Sequence, residues 1–366
     1  MKKRQLWRPE GIKLFMDVST YCNAACPQCH RTNPKTLEKN DWLPLVQWSL
    51  EDFKKAFPLD DIDLVSHFHF CGTWGDPLMI KEIVEIVSYI TRNSFAFISI
   101  DTNGSMRNED FFWDLGVMAG KERLRVNFDV DGINQEMHER YRRKTELSKI
   151  LSHMETLAAT GVAVHSQTIL FKHNVDYKDE IRQLCYEHGS QSHQFVISDR
   201  FGNVATGGEV GNDHTTYHND EDGNPFTLER APQSSTPKGF ISGTGSKQEL
   251  DKTIVCRWAA PRNEVVVNLD GQVLPCCYHQ NAYHWGHLSG KSNDLLRSDV
   301  YEYYLANKEE FNLFHSSLPD ILNHEWYTTT LPNSMLRDKA IPNCERNCST
   351  RRNKIHQLRE RHDKAA

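Results

Sequence analysis

The sequence predicts an α/β fold of parallel strands alternating with helices, followed by a smaller unit built on a β-hairpin and helices. Three observations carry this. Six short apolar runs recur between residues 12 and 198, most ending in a polar or glycine-containing turn. Longer segments between them place apolar side chains at helical spacing, as Leu78, Ile83, Val84, Ile86, Val87 and Ile90 do. Beyond residue 202 that alternation stops, and at 366 residues the chain is long enough for one large domain and a smaller one.

In chain order, Ile12–Val18 alternates as a strand and turns at Ser19-Thr20. Strands follow at His67–Cys71, Phe95–Asp101, Leu124–Val130, Val162–Phe171 and Gln194–Ser198. Helical patterns fill the intervals at Ser49–Phe57, Leu78–Asn93, Asn108–Gly120, Lys144–Thr160 and Tyr177–His188. Such an order implies a parallel sheet with right-handed crossovers, whose chemistry gathers at the carboxyl ends of the strands. Eight of the 20 glycines fall between Gly202 and Gly245, where the acidic run Asn219-Asp220-Glu221-Asp222 breaks any apolar period. This stretch reads as an exposed linker, with a lid as the functional alternative, and His214 and His218 are not taken as a metal pair. A further hairpin is expected where Glu264–Leu269 and Gln272–Leu274 flank Asp270-Gly271, with a helix over Asp294–Asn307.

A net charge of −6 argues against a globally nucleic-acid-binding protein. The sequence contains no run of 18 apolar residues, and its opening Met1-Lys2-Lys3-Arg4 lacks an export signal, so a cytoplasmic location without membrane contact is expected. Thiols are reduced there, so clustered cysteines point to metal or cluster ligation rather than disulfides.

Directly after the first strand stands Cys22-Asn23-Ala24-Ala25-Cys26-Pro27-Gln28-Cys29-His30. Three thiolates so close can share one inorganic centre. A four-iron cluster held by three cysteines keeps one iron open, whereas zinc would want a fourth ligand such as His30. The CxxxCxxC loop resembles the signature of radical S-adenosylmethionine (SAM) enzymes, whose core is a partial (β/α)6 barrel. Later strand ends are similar to that family too. Gly72-Thr73-Trp74-Gly75-Asp76-Pro77 resembles its GGEP-like motif, Thr102-Asn103-Gly104 recurs at the third strand end, and Asp129-Val130-Asp131-Gly132 is similar to its SxDG ending. The resemblance implies a 4Fe–4S cluster on Cys22, Cys26 and Cys29 with SAM chelated at the open iron. It also implies SAM contacts from Gly72, Thr73, Trp74, Gly75, Asp76 and Asn103, and from Asp129 or Asp131 at the ribose. Gln167, mid-strand, is placed inward beside them. Gln28 stands where an aromatic residue is usual, leaving Trp74 or His30 as the adenine wall. Arg140-Tyr141-Arg142-Arg143 reads as a solvated helix face, and Cys185 as an inert packed thiol.

A second set, Cys256, Cys276, Cys277, Cys344 and Cys348, resembles the auxiliary-cluster domain called SPASM, or its shortened twitch form, with Gly286-His287-Leu288 following the hairpin. Five cysteines suffice for one four-iron cluster. Adjacent side chains on an extended strand face opposite ways, and the family's Gly-x4-Cys spacing selects Cys276. The expected ligands are therefore Cys256, Cys276, Cys344 and Cys348. Zinc with four cysteines is the alternative. The implied organisation is a radical SAM core over 10–200, a linker or lid over 201–253, a SPASM/twitch-like domain over 254–350 and a basic tail over 351–366. The implied activity is reductive cleavage of SAM to a 5′-deoxyadenosyl radical that abstracts hydrogen from a substrate, a peptide before a sugar or small alcohol. Flavodoxin or ferredoxin would supply the electron. An iron–sulfur electron carrier or redox sensor is the rival reading, and a zinc-stabilised nucleic-acid binder with a basic tail at Arg351-Arg352-Asn353-Lys354 is a third.

Overall fold

The computed structural model describes residues 4–198, 200–202, 215–220, 222–232, 254–284, 298–336 and 340–348. Its main sheet takes six parallel strands in sequence order: β1 Ile12–Met16, β2 Val65–Phe70, β3 Phe97–Thr102, β4 Leu124–Asp129, β5 Ala163–Leu170 and β6 Ser192–Ile197. The helices between them are α1 Leu50–Ala56, α2 Ile83–Asn93, α3 Glu109–Ala119, α4 Gln135–Glu139, α5 Leu147–Ala159 and α6 Lys178–Glu187. Alternation decides which side of the sheet each residue takes. Phe68, Phe70, Ile98, Ile100, Val126 and Phe128 are fully buried beneath the helices, where α2 brings Ile83, Ile86, Val87 and Ile90. The opposite, concave face is polar and half-open. The sheet stays open rather than closing, so the α/β reading with a partial barrel holds.

Two expectations are corrected. The first concerns the C-terminal hairpin, which is not separate from the sheet. After the antiparallel pair β7 Thr215–Asn219 and β8 Pro225–Glu229, strand β9 Glu264–Val267 runs parallel to β1, from Lys13 opposite Glu264 to Met16 opposite Val267. Strand β10 Val273–Leu274 then pairs antiparallel with β9, giving eight strands in the order β10-β9-β1-β2-β3-β4-β5-β6. Without β9 the first strand would present a bare edge, and buried Val265, Val266 and Val267 cover it. Helices α7 Cys277–Tyr283, α8 Asp299–Ala306, α9 Leu318–Asn323, α10 Leu331–Ser334 and α11 Pro342–Cys348 complete that side and share one core with the sheet.

The second correction concerns the stretch read as a linker, which contains the β7–β8 hairpin. Its turn is built by Asp220, whose side chain accepts the Asp222 and Asn224 N–H groups, with Gly223 at φ +84°. Asp220 and Asp222 of the acidic run that looked like a loop stand in this turn. His214, the Gly286-His287-Leu288 segment, the first part of the Asp294–Asn307 helix and the basic tail lie outside the described residues.

Candidate active site

The cysteine loop leaves β1 through Asp17–Tyr21 and is tied to its surroundings by backbone contacts. Asp76 N–H donates to the Tyr21 carbonyl at 2.7 Å, Thr20 N–H to Val46 at 2.8 Å, and Ala25 N–H to Arg143 at 3.1 Å. Gly75 makes this approach possible. A Cβ there would lie 2.4 Å from the Ser19 carbonyl oxygen and 2.8 Å from the Thr20 carbonyl carbon. Cys26 is buried, while Cys22 and Cys29 are half-buried, in an apolar shell of Ala24, Tyr141, Phe171, Phe201 and Leu228. Burial pushes the Cys26 thiol up to about 12 against the pull of Arg142. It pushes Cys22 well up too, helped by the charges of Asp76, Cys26 and Cys29. Three thiols brought together, two of them raised by burial and by neighbouring negative charge, suit a positively charged inorganic centre.

Asp76 does not lie open to a ligand. Its carboxylate accepts Leu78 N–H (3.0 Å), the Thr102 hydroxyl on both oxygens (2.9 Å each), Asn103 N–H (2.8 Å) and Asn103 Nδ2 (2.6 Å). It thereby caps the short 3-10 turn Pro77–Met79, which is why α2 begins at Ile83 and not at Leu78. Asn103 Nδ2 also reaches Asn23 Oδ1 at 3.0 Å and Cys22 Sγ at 3.8 Å, so one amide joins the cysteine loop to the ends of β2 and β3. Gly72 has its own close approach, a Cβ there meeting the Gly75 carbonyl at 2.8 Å. Thr73 and the Trp74 backbone bond Asp17, a fully buried carboxyl that burial raises to about 7 and whose Oδ2 accepts Gln280 Nε2 at 2.8 Å.

At the end of β4 the reading of Arg142 as surface is overturned. Arg142 is buried and holds both acids, with its guanidinium 2.8 Å from Asp129 Oδ2 and its Nε 2.6 Å from Asp131 Oδ2. Asp131 Oδ1 accepts Ile169 N–H at 2.6 Å, and Gln167 Nε2 donates to Asp129 Oδ1 at 2.7 Å. Burial raises both carboxyls while Arg142 draws them down. Only Arg140 of that sequence is exposed. Two acids at a strand end were a signal that a cation must come from somewhere, and nothing local said from where.

Gln28 is likewise buried. Its Oε1 accepts the Ser198 hydroxyl at 2.9 Å and its Nε2 donates to Thr216 of β7 at 3.3 Å, while Arg200 donates to its carbonyl at 2.7 Å. The residue that replaces an aromatic therefore docks the β7–β8 hairpin over the loop. Trp74 is fully buried, stacked on His284 at 4.3 Å and near His30 at 5.6 Å, so neither it nor buried His30 presents an open wall.

The second cysteine set meets in one small cavity lined by Cys256, Cys276, Cys344 and Cys348 together with Ile254, Met335 and His279. Cys277 is not in that lining. Cys276 caps α7 and Cys277 begins it, so a helix start, not an extended strand, separates the two side chains. Among the described residues no group of three or more His, Cys, Asp or Glu is set to hold a single metal ion. The four thiols have an apolar cavity between them, and burial, helped by the charges of neighbouring thiols, pushes Cys276 and Cys344 well up; this donor set fits a cluster.

Residues 16–185 match the sequence profile of the Radical SAM superfamily, and residues 256–349 that of the SPASM iron–sulfur cluster-binding domain. The chain is 26% identical over 184 residues to a probable GTP 3′,8-cyclase of Methanothermobacter marburgensis, covering 49% of this chain and 55% of that protein. It is 25% identical over 195 residues to a cysteine-type anaerobic sulfatase-maturating enzyme of Clostridium novyi, covering 50% of each. The chain thus spans about half the length of the curated relatives it matches. The fold is similar to Streptococcus suis SuiB bound to precursor peptide SuiA, at TM-score 0.52 and 11% identity over 88% of this chain and 66% of that one. It is also similar to anSMEcpe with bound AdoMet, at TM-score 0.50 and 13% identity over 93% and 89%. Among the described residues no helix is long and apolar enough to cross a membrane. With both profiles matched and both cysteine sets gathered, the chain belongs to the radical SAM superfamily and carries a SPASM domain, and its cofactors are a 4Fe–4S cluster, SAM and an auxiliary iron–sulfur cluster.

Proposed function

We propose that this chain cleaves SAM reductively at a cluster held by Cys22, Cys26 and Cys29 and uses the product to abstract hydrogen from a peptide. The observation that carries it is the single hydrogen-bonded unit in which Asp76 and Asn103 lock the cysteine loop to the ends of β2 and β3. When bound and reduced, the cluster supplies one electron to SAM, giving methionine and a 5′-deoxyadenosyl radical. The protein's part is placement and exclusion. Gly75 and Gly72 bring backbone close to where the methionine moiety would lie, and Asp76 positions Asn103 rather than meeting the ligand itself. The family resemblance places the ribose at Asp129 or Asp131, both held by Arg142, beside Gln167. The β7–β8 hairpin, docked through Gln28 and Thr216, keeps water from the loop.

Cys256, Cys276, Cys344 and Cys348 would hold the auxiliary cluster, with a flavodoxin or ferredoxin in the cytoplasm as electron donor. A peptide substrate is supported by the SuiB structure bound to precursor peptide SuiA. The test is anaerobic turnover of the reduced protein with SAM and a perdeuterated peptide pool, followed by mass spectrometry of 5′-deoxyadenosine. Deuterium in the product supports the proposal. Label gained only from deuterated sugars removes the peptide, and no 5′-deoxyadenosine at all removes the activity.

A further inference from the structure

The face of the sheet away from the helices holds a guanidinium with no hydrogen-bond acceptor among the described residues. In β4, Leu124, Val126 and Phe128 point under the helices, so Arg125, Asn127 and Asp129 point the other way. Asp129 and Asn127 are engaged, Asp129 by Arg142 and Gln167, Asn127 by Asp101 at 2.5 Å. Asp101, whose charge Arg125 feels, is itself occupied by Asn127 and by His69 Nε2 at 2.8 Å. Arg125 is half-buried, makes no hydrogen bond or ion pair among the described residues, and its Nε lies out of solvent. Its guanidinium carbon lies 5.8 Å from the centre of the Phe97 ring. The neighbouring imidazoles do not counter it. Burial, with the charges of His69, Arg125 and Lys13, lowers His67 to about 4, and burial with Arg125 lowers His165. Both are neutral near pH 7, so the counter-charge beside Arg125 is that of Asp101, whose two oxygens already accept from Asn127 and His69.

We infer that Arg125 anchors a carboxylate of the substrate. A planar guanidinium pairs with a carboxylate in two parallel hydrogen bonds from its terminal nitrogens, and an acceptor is what this residue lacks among the described residues. Arg125 lies four residues before Asp129, roughly 13 Å down the strand at 3.3 Å per residue. The inference rests on the peptide reading above, and it adds a sequence requirement. An acidic side chain, or the chain's terminal carboxylate, sits about three or four extended residues from the carbon that reacts near the strand ends.

The test uses the cluster-loaded protein with SAM and calorimetric titration of three probes. Two are capped, otherwise neutral peptides differing only in one glutamate or glutamine, and the third is glutarate. The glutamate peptide is expected to bind at least about tenfold tighter, with the advantage lost in Arg125→Gln and partly kept in Arg125→Lys. The lysine variant keeps the test decisive if the glutamine variant loads iron poorly. Equal binding of both peptides overturns the anchor while leaving the peptide reading intact. Glutarate binding that needs Arg125, with neither peptide bound, supports the anchor and removes the peptide. Binding of no carboxylate overturns the inference.

Discussion

Replacing Asp76 with asparagine removes the charge and one acceptor from a carboxylate that Leu78, Thr102 and Asn103 surround with donors. The gentler rotamer puts the new amide nitrogen where Oδ1 was. The Thr102 hydroxyl can then turn to the remaining oxygen, Asn103 keeps both its contacts, and only Leu78 N–H loses its acceptor. One buried donor left unpaired costs about 1–3 kcal/mol. Part of that is offset because burial raises Asp76 and so already disfavours its charge. A net loss of about 1–2 kcal/mol is expected for Asp76→Asn, and roughly 2–5 kcal/mol for Asp76→Ala, which strands two backbone N–H groups. Anaerobic urea unfolding of the cluster-loaded protein measures both, alongside SAM affinity. If Asp76→Ala unfolds like wild type while SAM binding collapses, the carboxylate meets the ligand directly and the positioning role is refuted.

Arg142→Met should cost about 3–5 kcal/mol in the same assay, because it leaves Asp129 and Asp131 buried without their cation; a loss below about 1 kcal/mol would contradict the buried triad. Asp17→Asn tests a pH effect. The folded protein holds the Asp17 proton up to about pH 7 while the unfolded chain releases it near 3.8, so this group's contribution is full below that lower value and fades as pH rises through 7. The asparagine variant, which keeps the Gln280 contact, should therefore gain on wild type between pH 5 and pH 8, and parallel stability curves would refute the assignment. Cys277→Ala should retain about eight irons per chain, and Cys276→Ala should lose roughly half by iron analysis; the opposite result means Cys277 is the ligand.

The parts of the site carried by short stretches of chain were legible in the sequence. CxxxCxxC, Gly-Asp-Pro and Thr-Asn-Gly each announce a turn at a strand end, and the strand order then brings them together. Partners supplied from a distance were not. Arg142 sits beside exposed Arg140 and reads as surface until Asp129 and Asp131 are seen against it. The union of β9 with β1 joins residues some 250 apart and leaves no periodic mark. In β7 and β8 the turn chemistry of Asp220 and Gly223 was present, but surrounding glycines hid two five-residue strands. Trp74 looked like a ligand wall because its motif suggested exposure, whereas the joint with α7 and its flanking His284 buries it.

The central claim is tested most directly by measuring 5′-deoxyadenosine from SAM in the reduced wild-type protein and in a variant with Cys22, Cys26 and Cys29 changed to alanine. Wild type is expected to form 5′-deoxyadenosine and methionine in equal amounts. The variant should form neither while keeping about half of the iron, held by the second cysteine set. Cleavage that persists in the variant, or wild-type protein that holds its full iron and leaves SAM intact, would contradict the account.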